Sequence, residues 1–171
     1  PRAAKIDATG EFPWDVVEAF GKQGYLSLLL PESYAGTDGD LTSFCIVIEE
    51  IAKVCGSSSL ILLAHGLGTF PVLLAGNPSQ KDRCFTEISE KGSLIAFALN
   101  ESEGGLQVSS IKTTAEKKGK DYLINGRKGS ITQGSLAKWY SVFALTQPDR
   151  GAEGISAFLV EAGTPNLLFG K

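Results

Sequence analysis

The sequence predicts an α+β protein, an amino-terminal helical bundle followed by a small antiparallel β-barrel or sandwich. Three observations lead there. Apolar residues up to Glu90 recur at helical spacing, those from Ser93 onward fall in short strand-like runs, and turn residues separate those runs. With 171 residues, 43% apolar and 20% charged, the chain can bury one generous domain or two small ones sharing a core. It lies far from the composition of a disordered chain.

The elements follow in order. A turn-rich stretch at Asp7 to Gly10 precedes a helix over Pro13 to Phe20, with Trp14, Val17 and Phe20 on one face; Gly21 and Gly24 break it. Beyond a loop over Pro31 to Asp40, Leu41, Phe44, Cys45, Ile48, Ile51 and Ala52 have helical periodicity. Asp40 or Thr42 can cap that helix, and Gly56 ends it. Ser57 to Ser59 offer an N-cap for Leu60 to Leu74, apolar nearly all round and therefore buried on several sides, with Pro71 at a kink or near the end. A last amphipathic helix spans Ser79 to Glu90. Strands are expected at Leu94 to Leu99, Ile111 to Lys117, Tyr122 to Asn125, Ser130 to Thr132, Trp139 to Thr146 and Ile155 to Val160. Tight hairpin turns are expected at Lys117 to Lys120 and at Asn125-Gly126. The domain boundary falls near Lys91 to Ser93, giving a helical domain over 1–91 and a β domain over 92–171.

Several functions are excluded at this level. The net charge is −3, and no basic stripe with interleaved aromatics suggests nucleic acid. The longest apolar stretches, Leu26 to Leu30 and Leu60 to Ala64, fall short of the roughly 20 residues that cross a bilayer, so the chain is read as soluble and not membrane-bound. Cys45, Cys55 and Cys84 lack metal-ligand spacing and read as reduced residues of an intracellular protein. The chain starts at Pro1 and contains no Met, as expected of a processed chain or a fragment. Glu49 and Glu50, adjacent on a helix, point about 100° apart and suit a solvated or interhelical role better than paired acid/base chemistry. His65, the only histidine, reads as a hydrogen-bonded core or pocket-lining residue, not a metal ligand.

Taken in order, Gly24, Pro31-Glu32, Gly36, Glu49-Glu50, His65, Gln80-Lys81, Phe97 to Glu101, Gly126-Arg127-Lys128 and Ile131 to Gly134 form a succession that resembles the acyl-CoA dehydrogenases along the whole chain. The stretch Ile111 to Gly126, IKTTAEKKGKDYLING, is similar to the family's middle-domain hairpin. The resemblance implies FAD held by two segments, Phe97 to Leu106 and Ser130 to Thr132. Thr132 would set its hydroxyl near flavin N5, and the backbone of Leu99, Asn100 and Glu101 would meet the pyrimidine edge. Gly104 and Gly105 would let the chain pass the pyrophosphate without a Cβ in the way. Phe97, Leu106, Ser130 and Ile131 complete the implied cofactor set, and Leu106 would also face the substrate.

Five positions depart from the family's pattern. Asn100 stands where the family has Thr, Ser102 where it has Pro, Leu106 where it has Ser, Gln107 where it has Asp, and Ser130 where it has an aromatic. Leu106 removes a polar contact and Ser130 a stacking partner. The implied reaction is α,β-dehydrogenation of an acyl-CoA thioester, with hydride passing to FAD and electrons onward to an electron-transferring flavoprotein. A homotetramer or homodimer is implied, in the cytoplasm or, in a eukaryote, the mitochondrial matrix. The family's catalytic carboxylate belongs to a later helical part, so no catalytic base and no metal ligand are assigned within this chain. The alternative is a non-catalytic or split-subunit relative that keeps the fold and a binding role.

Overall fold

A computed structural model describes residues 2–102 and 108–170. Five α-helices come first: α1 (Arg2–Thr9), α2 (Trp14–Lys22), α3 (Leu41–Ala52), α4 (Gly56–Ala75) and α5 (Pro78–Lys91). Five strands follow: β1 (Ile95–Ala98), β2 (Thr114–Lys118), β3 (Asp121–Asn125), β4 (Trp139–Leu145) and β5 (Ile155–Glu161). The expected α+β order is therefore present.

Local chemistry sets the helix ends. Asp40 caps α3, its carboxylate accepting from the Ser43 N–H at 2.7 Å. Asn77 and Gln80 form a reciprocal capping box at the start of α5, with Pro78 at the first helical position. Gly92 closes α5 in the left-handed region at φ 64°, which costs a glycine little.

Several expectations are corrected. The stretch read as a turn at Asp7 to Gly10 is mostly the end of α1, whose signal is faint because Ile6 is its one buried residue. Ser57 to Ser59 do not cap α4; the helix starts at Gly56 after Cys55, so Gly56 opens α4 and does not end α3. The turn at Gly119-Lys120 joins β2 to β3 as expected, with Lys118 opposite Asp121. No hairpin forms at Asn125-Gly126, because the chain leaves β3 for a long connection to β4. Ser130 to Thr132 is no strand: it enters a turn, and positive φ at Ser130 (53°) and Gln133 (64°) is incompatible with extended backbone.

β4 is the hub of an open, mixed sheet. β5 lies antiparallel along its full length, from Trp139↔Glu161 to Leu145↔Ile155. β1 pairs with it in parallel from Ile95↔Trp139 to Ala98↔Val142, and β2 joins at Thr114↔Leu145. The strands are thus not all antiparallel, and the barrel is not closed.

One hydrophobic core runs through both halves, joining Phe20, Leu30, Leu62 and Phe85 to Leu94, Ile95, Trp139 and Tyr140. Its centre is α4. By length and composition this helix of 20 residues could cross a membrane, because Gly, Ser and Thr extend its short apolar runs. Here Ile61, Leu62, His65, Gly68, Thr69 and Val72 are buried against protein, while Leu60, Leu63, Leu67 and Leu74 remain exposed. Two glycines permit the close fit. A Cβ on Gly66 would stand 2.2 Å from the Phe44 ring, and one on Gly68 would stand 2.8 Å from the Ile95 carbonyl oxygen.

His65 is fully buried and satisfied on both nitrogens. Its Nε2–H donates to the Leu26 carbonyl at 2.9 Å, and Nδ1 accepts from the Ile95 N–H at 3.4 Å. That pattern fixes the neutral tautomer, and burial depresses the pKa to about 4. Glu49 and Glu50 are exposed and pair with Lys53. Cys45, Cys55 and Cys84 are free thiols.

Two outcomes follow for the protein that contains this chain. Replacing Gly68 with Ala should cost roughly 1–3 kcal/mol by overpacking α4 on β1, read as a lower urea midpoint at unchanged slope; an unchanged midpoint would refute the close contact. Because the folded pKa of His65 lies below its ordinary value of 6.5, the unfolded state takes up the proton first. Stability should therefore fall as the pH drops from about 6.5 to about 4, by the order of 3 kcal/mol. Melting curves of wild type and His65→Gln should lose their difference in pH slope across that window if another group is responsible.

Candidate functional site

The exit from β1 and the approach to β4 meet at one place. Leu99 and Asn100 follow β1, half-buried, and the Asn100 carbonyl accepts from the Gly129 N–H at 3.0 Å. Gly129 lies so close that a Cβ there would stand 2.5 Å from the Ser102 hydroxyl oxygen. The segment from Phe97 onward is thereby set beside Gly129, the residue just ahead of the second segment, Ser130 to Thr132.

A buried charge fastens them. The Glu101 and Lys128 side chains are 9% and 11% exposed and form an ion pair at 2.9 Å. Lys128 Nζ also donates to the Leu99 carbonyl at 3.0 Å. The Glu101 carboxylate accepts from the Lys112 N–H at 2.7 Å, the Thr113 N–H at 3.0 Å and the Thr113 hydroxyl at 2.5 Å. Burial by itself would raise the pKa of Glu101; the Thr113 hydroxyl, the Lys128 ammonium and the two backbone donors outweigh it and hold the group at about 2. A carboxylate so saturated with donors, and so acidic, cannot serve as a general base near neutrality.

The remaining expected positions are distributed as follows. Phe97 is half-buried within β1 and meets Phe143 edge-to-face at 5.0 Å. Ile131 packs against the core. Ser130 and Thr132 are exposed, Thr132 within the turn that precedes β4. Glu101 was expected to act through its backbone, whereas its side chain is the keystone of the loop. Gly104, Gly105 and Leu106 lie outside the described residues, as does Gln107.

Three contributors stand within stretches that carry the family resemblance but are given no role by the sequence. Lys128, Thr113 and Gln133 hold the two segments in place, yet a lone Lys after Gly-Arg, a Thr before a strand and a Gln in a turn carry no pattern of their own. Only the partners 72 residues away for Gln133 and 27 away for Lys128 give them meaning. Among the described residues no group of three or more His, Cys, Asp or Glu side chains is gathered for a metal ion.

A helical layer against an open β-sheet, with paired loops at the junction, defines a class that the comparisons make explicit. Residues 1–91 match "Acyl-CoA dehydrogenase, N-terminal domain" and residues 96–171 match "Acyl-CoA dehydrogenase, middle domain". The chain belongs to the acyl-CoA dehydrogenase family. It is 44% identical over 171 residues to the cyclohex-1-ene-1-carbonyl-CoA dehydrogenase of Syntrophus aciditrophicus (strain SB), covering 99% of this chain and 41% of that protein. It superposes on butyryl-CoA dehydrogenase from Megasphaera elsdenii with a TM-score of 0.89 at 31% identity, covering 98% of this chain and 45% of the other. A structure of PigA with FAD and proline matches with a TM-score of 0.91 at 25% identity, over 99% of this chain and 45% of the other. The chain thus spans less than half the length of these proteins.

The fastening predicts its own failure. Glu101→Gln leaves the Lys128 ammonium buried without a counter-charge and should cost about 3 kcal/mol in denaturant melts. Glu101→Gln combined with Lys128→Met should recover part of that loss. A single variant costing under about 1 kcal/mol would mean that the pair is effectively solvated.

Proposed function

We propose that this chain is the amino-terminal and middle part of a FAD-dependent acyl-CoA dehydrogenase that introduces an α,β double bond into an acyl-CoA thioester. The observation that carries the reading is the meeting of the two loop segments, Leu99 to Ser102 and Lys128 to Thr132, through Gly129, Lys128 and Glu101. A flavin needs rigid backbone groups at its pyrimidine edge and a hydroxyl near N5. The backbone of Leu99 to Glu101 and the exposed Thr132 fit those needs, and the ion pair of Glu101 with Lys128, which also binds the Leu99 carbonyl, supplies rigidity to the first of them. Bound there, FAD would supply a hydride acceptor.

Within that reading the chain's own residues orient and hold. Glu101 fixes the loop and takes no proton from substrate; the family resemblance implies that the base that removes the α proton comes from another part of the protein or complex. We divide the chain into a helical domain over 1–91 and a β domain over 92–171, a reading supported by the end of α5 at Gly92. Electrons would pass on to an electron-transferring flavoprotein, and the assembly would be a homotetramer or homodimer. The free thiols accord with a reducing compartment, the cytoplasm or the mitochondrial matrix. The exposed Ser130, in place of an aromatic, favours a second reading, a binding relative without the chemistry.

The visible spectrum of the full-length protein separates them. A flavin band that bleaches anaerobically on adding a short or a long acyl-CoA is the expected result. A colourless protein that cannot be reconstituted with FAD would leave the non-catalytic relative.

A further inference from the structure

Resting on the flavin reading above, we infer that Gln133 is a positioning residue: it fastens the turn that carries Thr132 to helix α4 and so sets where the Thr132 hydroxyl stands.

Gln133 adopts φ 64°, a region in which Asn, Asp and Gly are far more common than a long side chain. It is also more than nine-tenths buried, although Thr132 before it and Ser135 after it are exposed. What it obtains in that conformation is reach. Its Nε2–H donates to the Ile61 carbonyl of α4 at 2.6 Å, and Asn, better suited to the backbone, is one methylene shorter. A carbonyl can only accept, so the amide orientation at Ile61 is set by chemistry.

The backbone of Gln133 organises the same turn. Its carbonyl accepts from the N–H groups of Leu136 and Ala137, both at 3.0 Å, while the Gly134 N–H donates to the Ile131 carbonyl at 2.9 Å. Gly134 is needed there, because a Cβ would stand 2.9 Å from the Ile131 oxygen. Thr132 is therefore bracketed by the contacts of its two neighbours, Ile131 and Gln133. The other amide atom, Gln133 Oε1, is buried and has no partner among the described residues. A residue kept only to fill space would be apolar here, since a half-satisfied amide is costly in an interior. The donor to Ile61 explains why an amide is retained.

The test uses the full-length protein and the variants Gln133→Leu, Gln133→Glu and Gln133→Asn. In flavin-free protein, Gln133→Leu should raise amide exchange at Leu136 and Ala137 by roughly tenfold or more as the turn loosens. In the loaded protein it should shift the flavin absorption spectrum and midpoint potential, and lower kcat by roughly 10- to 100-fold with little change in KM. Gln133→Glu, which cannot donate to Ile61 when ionised, should behave alike, as should Gln133→Asn, which cannot reach. If Gln133→Leu does not fold, Gln133→Asn decides by the same readings. Unchanged spectrum, potential and kcat beside a lowered melting temperature would overturn the inference and leave Gln133 purely structural. A wild type that binds no flavin would defeat the functional reading instead; the exchange data would still decide whether Gln133 fastens the turn.

Discussion

The close approach of α4 to β1 and β4 is the constraint on which the rest depends. Glycine at positions 66 and 68 lets the helix lie where any side chain would strike the Phe44 ring or the Ile95 backbone. At that range the helix backbone itself becomes a partner for the sheet. A carbonyl oxygen has two lone pairs, so Ile61 and Gly68 can each take a side-chain donor beyond the helical ladder, from Gln133 at 2.6 Å and from Ser141 at 2.6 Å. His65 completes the seam by bridging Leu26 to Ile95. These polar contacts specify position in an interior where apolar packing alone would tolerate sliding.

The junction loops show a division of labour between charge and shape. Glu101 and Lys128 are nearly buried, and such a pair is retained at a desolvation cost that hydrophobic residues would avoid. What the pair delivers is convergence: one carboxylate gathers Lys112, Thr113 and Lys128, and one ammonium reaches back to Leu99. The outcome is that the backbone around Leu99 to Ser102 and Lys128 to Gly129 is held by side chains and not by a continued helix or strand. A carboxylate employed in this way is removed from proton chemistry, which separates the residues that shape the site from those that would react in it.

Much of the fold was legible because helix signals are local. Asp40, the Asn77-Pro78 start and Gly92 mark ends that depend on residues within four positions, and the strands Trp139–Leu145 and Ile155–Glu161 were found nearly to the residue. α1 was missed because a surface helix with one buried side chain lacks an apolar stripe. Ser130 to Thr132 departs from the strand expectation because β-branched Ile and Thr favour strands, whereas positive φ at Ser130 and Gln133 turns the chain there, with Gln133 bonded to a helix elsewhere in the chain. The candidate site was legible only as a family resemblance. Its physical keystones, Lys128 and Gln133, are defined by partners distant in sequence, and no local pattern announces such partners.

The seam around α4 also governs how the chain reaches its fold. Its defining bonds close loops of 30, 39, 72 and 73 residues, and the parallel pairing of β1 with β4 must wait for everything between them. Contacts of such long range impose their entropy cost before they return stability, so assembly is slow relative to the formation of the helices. Until the seam closes, the apolar side chains of the α4 segment have no interior in which to be buried. The same close fit that orders the native site thus makes the newly synthesised chain a candidate for aggregation and for chaperone binding.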